Sequence, residues 1–565
     1  LALLLSGALV ACTSTTAGTA VLAPTETAGT TATAPHVITE PSSPPGTQTT
    51  GKSAAGSGST QATAPLAGTS AAPIPSGLEK YYTQKLQWEG CLSYITSSES
   101  ASWLSLPTVR CAHLAVPLDY SKPDGPMVTM AVTVQPSTSS NPIGALVIDP
   151  GGPGDSGLLF GPYVGFVDPS LRRNFDLIGI DPRGVGASVP AISCESDAEK
   201  DADRVANWIG SMPTSTQAEI DAANDRTKKY VQGCLDGSGA NGVTGSQFLQ
   251  SVGTVTVAKD LDVLRAVLGD SKLSYLGFSY GTSIGTQYAE QFSSKVRALL
   301  LDAAVDPNQS AADSELGQDE NFQKAFETFA KDCVARQGCA LGSDPAKATA
   351  VFQQMTRPLM TRPVPLSDGR TLSYSDAVWG TSEAMYDNSL WADLRAALSQ
   401  LATGNGDGMM ALADQYYQRD TNGKYANLFK GSFDAIRCMD NDRITDPKVQ
   451  VEHNKQAQQI APFSDNGQPA AAVFDVCTYW PFQPTMTPHV PDPKGLPTVL
   501  VMSTTGDPAT PYQNGVNLAK YLDARLLTVE GTRHGAFLSG KPCVDQIGND
   551  YLINLKLPPE GAKCS

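Results

Sequence analysis

Histidine is scarce here, with five in 565 residues, so chemistry that needs an imidazole base has few places to find one. Charge is thin as well, at 17% of residues, and nowhere do Lys and Arg gather into a dense run. With 40 basic against 56 acidic residues the formal net charge is −16, which excludes nucleic acid as a partner because nothing would neutralise a phosphate backbone. The acidic excess suits the solubility of an exported protein and would also draw an amine-bearing substrate. Beyond the first twelve residues no stretch approaches the ~20 apolar residues that a membrane-spanning helix needs. No internal repeat is present. The closest cysteine pair, Cys333 and Cys339, has five residues between them, outside zinc-knuckle spacing. The glycine-rich turn at 151–157 is not followed by the Lys of a phosphate loop. No metal and no organic cofactor is therefore expected.

What is present begins with LALLLSGALVAC, an apolar segment whose small residues lead directly into Cys12. This is the pattern of a lipoprotein signal, read as starting inside the signal peptide, so residues 1–12 are set apart from the fold and Cys12 is the expected lipid anchor. Residues 13–77 are Thr, Ala, Ser, Pro and Gly with three charged residues (Glu26, Glu40, Lys52) and no aromatic ring. Such a segment buries too little apolar surface to offset chain entropy and is expected to be a disordered tether. The chain is expected outside the cytoplasm, lipid-anchored or released, touching a membrane only through that anchor, and acting as a monomer. Setting Cys12 aside, the remaining cysteines are even in number, and in an exported chain they are expected to pair as neighbours: Cys91–Cys111, Cys194–Cys234, Cys333–Cys339, Cys438–Cys477 and Cys543–Cys564.

From residue 78 onward short β-rich runs appear at Val109 to Val116, Met127 to Val134, Ala145 to Ile148, Phe175 to Ile180, Leu273 to Gly277 and Ala298 to Leu301. Several are continuous apolar runs ending in Gly or Asp, as strands buried on both faces should be. Between two of them Val257, Leu261, Leu264 and Leu268 recur at helical spacing, so strand and helix alternate and a mostly parallel sheet flanked by helices is predicted. Residues 78–302 form the first part of this core. Residues 303–495 turn helical and irregular, which predicts an inserted cap, and strand character at Thr498 to Met502 and Leu526 to Glu530 makes 496–565 the completion of the core.

Gly277-Phe278-Ser279-Tyr280-Gly281 places a serine in G-x-S-x-G directly after a strand, the arrangement of a nucleophile elbow. Gly281-Thr282-Ser283-Ile284-Gly285 repeats the pattern, but Ser283 would lie inside the following helix, where the glycines serve packing. His534, in Gly531-Thr532-Arg533-His534-Gly535 after a late strand, is the expected base. His36 lies in the tether, His113 on an early strand, His453 on a polar cap helix and His489 in a Pro-rich loop. Asp507, after the Thr498 to Met502 strand, completes the order Ser, acid, His, with Asp492 and Asp523 as weaker candidates. The oxyanion is assigned to the backbone N–H groups of Gly152 and Tyr280, since Gly151-Gly152-Pro153-Gly154 lets the backbone approach a substrate closely. Asp181-Pro182-Arg183-Gly184 reads as a braced loop beside the site.

Together the Gly151 to Gly157 turn, the Asp181 to Gly184 turn, Gly277 to Thr282, Asp507-Pro508-Ala509-Thr510-Pro511 and Arg533-His534-Gly535 resemble the tripeptidyl-aminopeptidase branch of the prolyl-aminopeptidase-like serine peptidases. The resemblance spans about residues 80 to 565 and implies an α/β-hydrolase fold. It also implies an enzyme that releases di- or tripeptides from the free N-terminus of a peptide or protein. Prolyl aminopeptidases carry His before the G-G-P-G turn, whereas this chain has Asp149-Pro150, so a proline preference does not follow. An enzyme of this kind needs a cap carboxylate for the substrate ammonium, and Asp434 and Asp440 beside Cys438 are the candidates. A carboxylesterase would use the same three side chains, whereas a lipid-tethered solute-binding protein would leave the elbow, the oxyanion turn and the Asp/His order unexplained.

Overall fold

The short apolar runs become strands whose alternate side chains enter separate cores. A computed structural model describes residues 74–207, 212–426 and 428–565; the expected anchor Cys12, His36 and nearly all of the tether lie outside these. The strands of the main sheet are β1 Arg110–Pro117, β2 Met127–Gln135, β3 Gly144–Asp149, β4 Phe175–Asp181, β5 Leu273–Phe278, β6 Val296–Asp302, β7 Leu500–Thr504, β8 Arg525–Val529 and β9 Lys563–Cys564. They form one nine-stranded sheet in the order β1-β2-β4-β3-β5-β6-β7-β8-β9. β2 runs antiparallel to both β1 and β4, and every other pair is parallel. Val147, Tyr275, Leu299 and Val501 pack on one face, while Leu146, Leu276, Leu300 and Met502 pack on the other. This two-sided burial is why the runs are continuously apolar rather than alternating.

Helices Thr254–Val267 and Gly281–Phe292 cover the sheet, and between β6 and β7 the chain leaves it to build the cap around its own core, which includes Phe326, Phe329, Phe352, Leu398 and Phe463. Sheet and cap belong to one compact unit. One feature escaped the sequence pattern. After β4 the chain makes a second helical excursion, and Arg204 of helix Asp197–Val205 reaches into the cap, where it meets Asp376 at 2.7 Å and Asp414 at 2.8 Å. The five neighbouring cysteine pairs are bonded as expected from their order. Cys543–Cys564 ties the last strand to helix Pro542–Asn554, the helix that follows the histidine loop. Among the described residues no helix is long and apolar enough to cross a membrane.

Candidate active site

β5 ends at Phe278 and helix Gly281–Phe292 begins almost at once, so the connecting backbone must turn sharply. Ser279 takes up that turn with φ 52°, a left-handed conformation that costs a non-glycine residue about 1–3 kcal/mol. Both motif glycines are required by contact: a Cβ on Gly277 would stand 2.6 Å from the Gly281 carbonyl oxygen, and one on Gly281 would stand 2.7 Å from that of Asp149. Ser279 N–H donates to the Asp302 carbonyl at 2.9 Å, and the Ser279 carbonyl accepts the Thr282 hydroxyl at 2.6 Å. Ser283 lies within the helix, and a Cβ on Gly285 would stand 2.6 Å from Leu301, so the second G-x-S-x-G is a packing motif.

His534 Nδ1 lies 2.9 Å and 3.0 Å from the two carboxylate oxygens of Asp507. A nitrogen between two acceptors carries the proton, which leaves Nε2 with a free lone pair for a base. Asp507 is 1% exposed and is held by the N–H groups of Ala509 at 2.9 Å, Thr510 at 2.8 Å and Gly535 at 3.3 Å. The cap helix Tyr374–Tyr386 ends against this loop: His534 N–H donates to the Tyr386 carbonyl at 2.8 Å, and Arg533 pairs with Asp387 at 3.1 Å. The other described histidines are occupied elsewhere, with His113 against the Tyr94 ring, His453 on Glu315 and His489 on Glu290. Asp492 pairs with Lys494, and Asp523 is exposed after helix Tyr512–Tyr521.

The glycine-rich turn after β3 presses on the elbow, since a Cβ on Gly151 would stand 2.5 Å from the Phe278 carbonyl oxygen and 2.9 Å from Tyr280 N. Gly152 follows in the same left-handed stretch at φ 106°, and Tyr280 is the N-cap of the helix after the elbow. Asp149 accepts Gly151 N–H at 2.9 Å, while Asp181 accepts the Ser156 hydroxyl at 2.7 Å, Gly157 N–H at 3.0 Å and Ala187 N–H at 2.8 Å. Arg183 is fully enclosed and forks onto both oxygens of Asp260 at 2.6 and 2.7 Å, which agrees with a bracing role for the Asp181 to Gly184 turn.

Burial raises the Asp149 carboxyl to about 8. The unfolded chain would ionise it near ~3.9, so between these values the folded protein holds a proton that the unfolded one has lost. Stability from this group therefore falls as pH rises across the window and is flat above it. Asp149→Asn removes the penalty, and its melting temperature is expected to exceed that of the wild type at about pH 8.5 and to converge with it near about pH 4. Thermal melts in which the variant gains nothing at alkaline pH would rule out a neutral buried Asp149.

Asp434 and Asp440, expected to face a substrate ammonium, are engaged by the protein itself. Asp434 pairs with Arg437 at 3.2 Å. Asp440 accepts Thr254 N–H at 2.8 Å and the Thr254 hydroxyl at the start of helix Thr254–Val267, and the Tyr280 hydroxyl reaches it at 3.3 Å. A different set of buried acids is linked through Asp155, which feels the charge of His534. Glu383 of helix Tyr374–Tyr386 is 5% exposed, and its Oε1 has no hydrogen-bond partner among the described residues. Burial raises it to about 7, and the charge of Asp155 adds to the effect. Burial also raises Asp155, which lies on the oxyanion turn, accepts the Gln418 amide at 3.1 Å and feels the opposing charge of His534. Glu99, raised by burial to about 7, interacts with Asp155 from the N-terminal side of the core. The one signal for Glu383 in the sequence is that it is the single charged residue between Asp376 and Asp387.

A family model for the alpha/beta hydrolase fold matches residues 144–541. The chain is 43% identical over 491 residues to the serine protease Hip1 of Mycobacterium tuberculosis, covering 85% of this chain and 91% of that one. It is 38% identical over 482 residues to Carboxylesterase B of the same organism, covering 85% and 89%. A tripeptidyl aminopeptidase of Streptomyces lividans is 28% identical over 491 residues, covering 85% and 86%. With the sheet order, the elbow and these relatives in agreement, the chain belongs to the alpha/beta hydrolase family and is a serine hydrolase.

Proposed function

We propose that this hydrolase is an extracytoplasmic aminopeptidase that releases short peptides, two or three residues long, from peptide or protein N-termini through an acyl-enzyme on Ser279. Ser279 Oγ attacks the scissile carbonyl carbon and its proton passes to His534 Nε2, while Asp507 stabilises the imidazolium. The oxygen takes negative charge facing the N–H groups of Gly152 and Tyr280, each worth about 10²–10³ in rate. Collapse breaks the C–N bond, and His534 returns the proton to the departing amine. Water then repeats the sequence and frees the short peptide acid, restoring the serine hydroxyl.

The observation that carries the peptidase reading is the buried Oε1 of Glu383, which has no hydrogen-bond partner among the described residues and is linked electrostatically to Asp155, as Glu99 is, while Asp155 itself feels the charge of His534. An unpaired buried carboxylate is costly, and a substrate ammonium would supply the missing donor. The relatives named serine protease and tripeptidyl aminopeptidase support the same choice. The five disulfides support a location outside the reducing cytoplasm. Lipid attachment at Cys12 and a monomeric chain complete the proposal. A second reading, a carboxylesterase with the same three side chains, is favoured by the relative of that name.

Glu383→Gln separates the two. A charge-assisted contact of about 1.5–3 kcal/mol predicts that KM for tripeptidyl anilides rises about 10- to 100-fold, with little change for a short acyl ester. The pH profile follows the same logic. Glu383 holds an ammonium only when ionised, so kcat/KM for peptides should fall more steeply than that for the ester as pH drops through about 7, and this difference should disappear in Glu383→Gln. Equal effects on anilide and ester would remove the peptidase reading and leave the esterase.

A further inference from the structure

We infer that Asp302 is a positioning residue: it holds the nucleophile turn and the histidine loop at a fixed separation by bonding to both. Asp302 is the last residue of β6, which lies between β5, ending at the elbow, and β7, leading to Asp507. Its backbone carbonyl accepts Ser279 N–H at 2.9 Å. Its carboxylate turns to the other side, where Oδ2 accepts Ala536 N–H at 2.8 Å and Phe537 N–H at 2.7 Å, two and three residues after His534. One residue thus spans two segments that are far apart in the chain and must meet to within a hydrogen bond during catalysis.

The side chain is fully buried, and Oδ1 has no partner among the described residues. Burial raises this carboxyl to about 6, and the charge of Asp507 pushes the same way, while the two N–H groups and the charge of His534 oppose it. A buried carboxylate with one oxygen unsatisfied is expensive as a packing element, since an apolar side chain would fill β6 more cheaply. It does not replace Asp507, whose two oxygens already flank His534 Nδ1. What the carboxylate uniquely supplies is an acceptor for two successive N–H groups of the histidine loop, which would otherwise be buried unpaired.

The test uses the full chain and a short acyl ester, with rates expressed per active site titrated by a fluorophosphonate. It rests on Ser279 and His534 being the reacting pair, which labelling of the wild type at Ser279 checks separately. Asp302→Ala removes the one oxygen that accepts both loop N–H groups and keeps the backbone carbonyl that holds Ser279 N–H, and a shift of about 1 Å in the histidine predicts a fall in kcat of about 10²-fold with KM nearly unchanged. Asp302→Asn keeps an amide oxygen for the two N–H groups and should recover kcat to within about ten-fold of the wild type. Wild-type kcat per titrated site in Asp302→Ala, with only a lower melting temperature, would assign Asp302 to stability alone and overturn the inference. Should the alanine variant fail to fold, Asp302→Asn decides: a kcat loss beyond about ten-fold at wild-type melting temperature would equally overturn it.

Discussion

Ser279→Ala is expected to lower kcat by about 10⁶-fold and to abolish covalent labelling by a fluorophosphonate, while leaving substrate binding nearly intact. The expectation rests on the elbow: Ser279 alone takes the left-handed conformation between β5 and its helix, and the other hydroxyl of that connection, on Tyr280, is engaged by Thr254 and Asp440 and so does not take over attack. A residue of about 10³–10⁴-fold over water should persist, because the N–H groups of Gly152 and Tyr280 still stabilise an oxyanion formed by attacking water. Ser283→Ala serves as the control, since Ser283 is part of the helix and should leave labelling unchanged. Stoichiometric labelling of Ser279→Ala would move the nucleophile elsewhere and end the assignment.

Asp507→Asn is expected to lower kcat by about 10⁴-fold with little effect on KM. Both carboxylate oxygens face donors: His534 Nδ1 lies near each, the N–H groups of Ala509 and Thr510 point at one, and that of Gly535 points at the other. An amide nitrogen placed on either side would confront an N–H group, and His534 could then donate only from Nε2, the nitrogen that must accept the serine proton. The variant should therefore label with fluorophosphonate orders of magnitude more slowly while retaining its fold. Pre-steady-state labelling rates measure this, and a loss of less than about ten-fold would show that another acid orients the imidazole.

The core was legible in the sequence because its signals are local. β3, β5 and β6 are continuous apolar runs, and the predicted limits fall within two residues of the observed ones. Ser279 and its glycines are contiguous, and Asp507 and His534 each follow a late strand. The acids were not legible in the same way. Asp434 sits three residues before Arg437 on one helix, a spacing that already marked it as paired. Asp440 is taken by Thr254, a contact between residues far apart that no spacing reveals. Glu99, Asp155 and Glu383 come from the N-terminal segment, the oxyanion turn and the cap, so only the folded chain gathers them. Asp302 was passed over because a strand ending in Asp is ordinary; its value lies in which loops its two ends reach.

The end of helix Tyr374–Tyr386 grips the loop that carries His534, and Arg204 grips the first turn of the same helix through Asp376. The cap is thus a component of the reaction centre's scaffold as well as a cover for it. Recombination between relatives that exchanges caps at the two sheet crossovers would therefore transplant a support for the general base along with a new specificity surface.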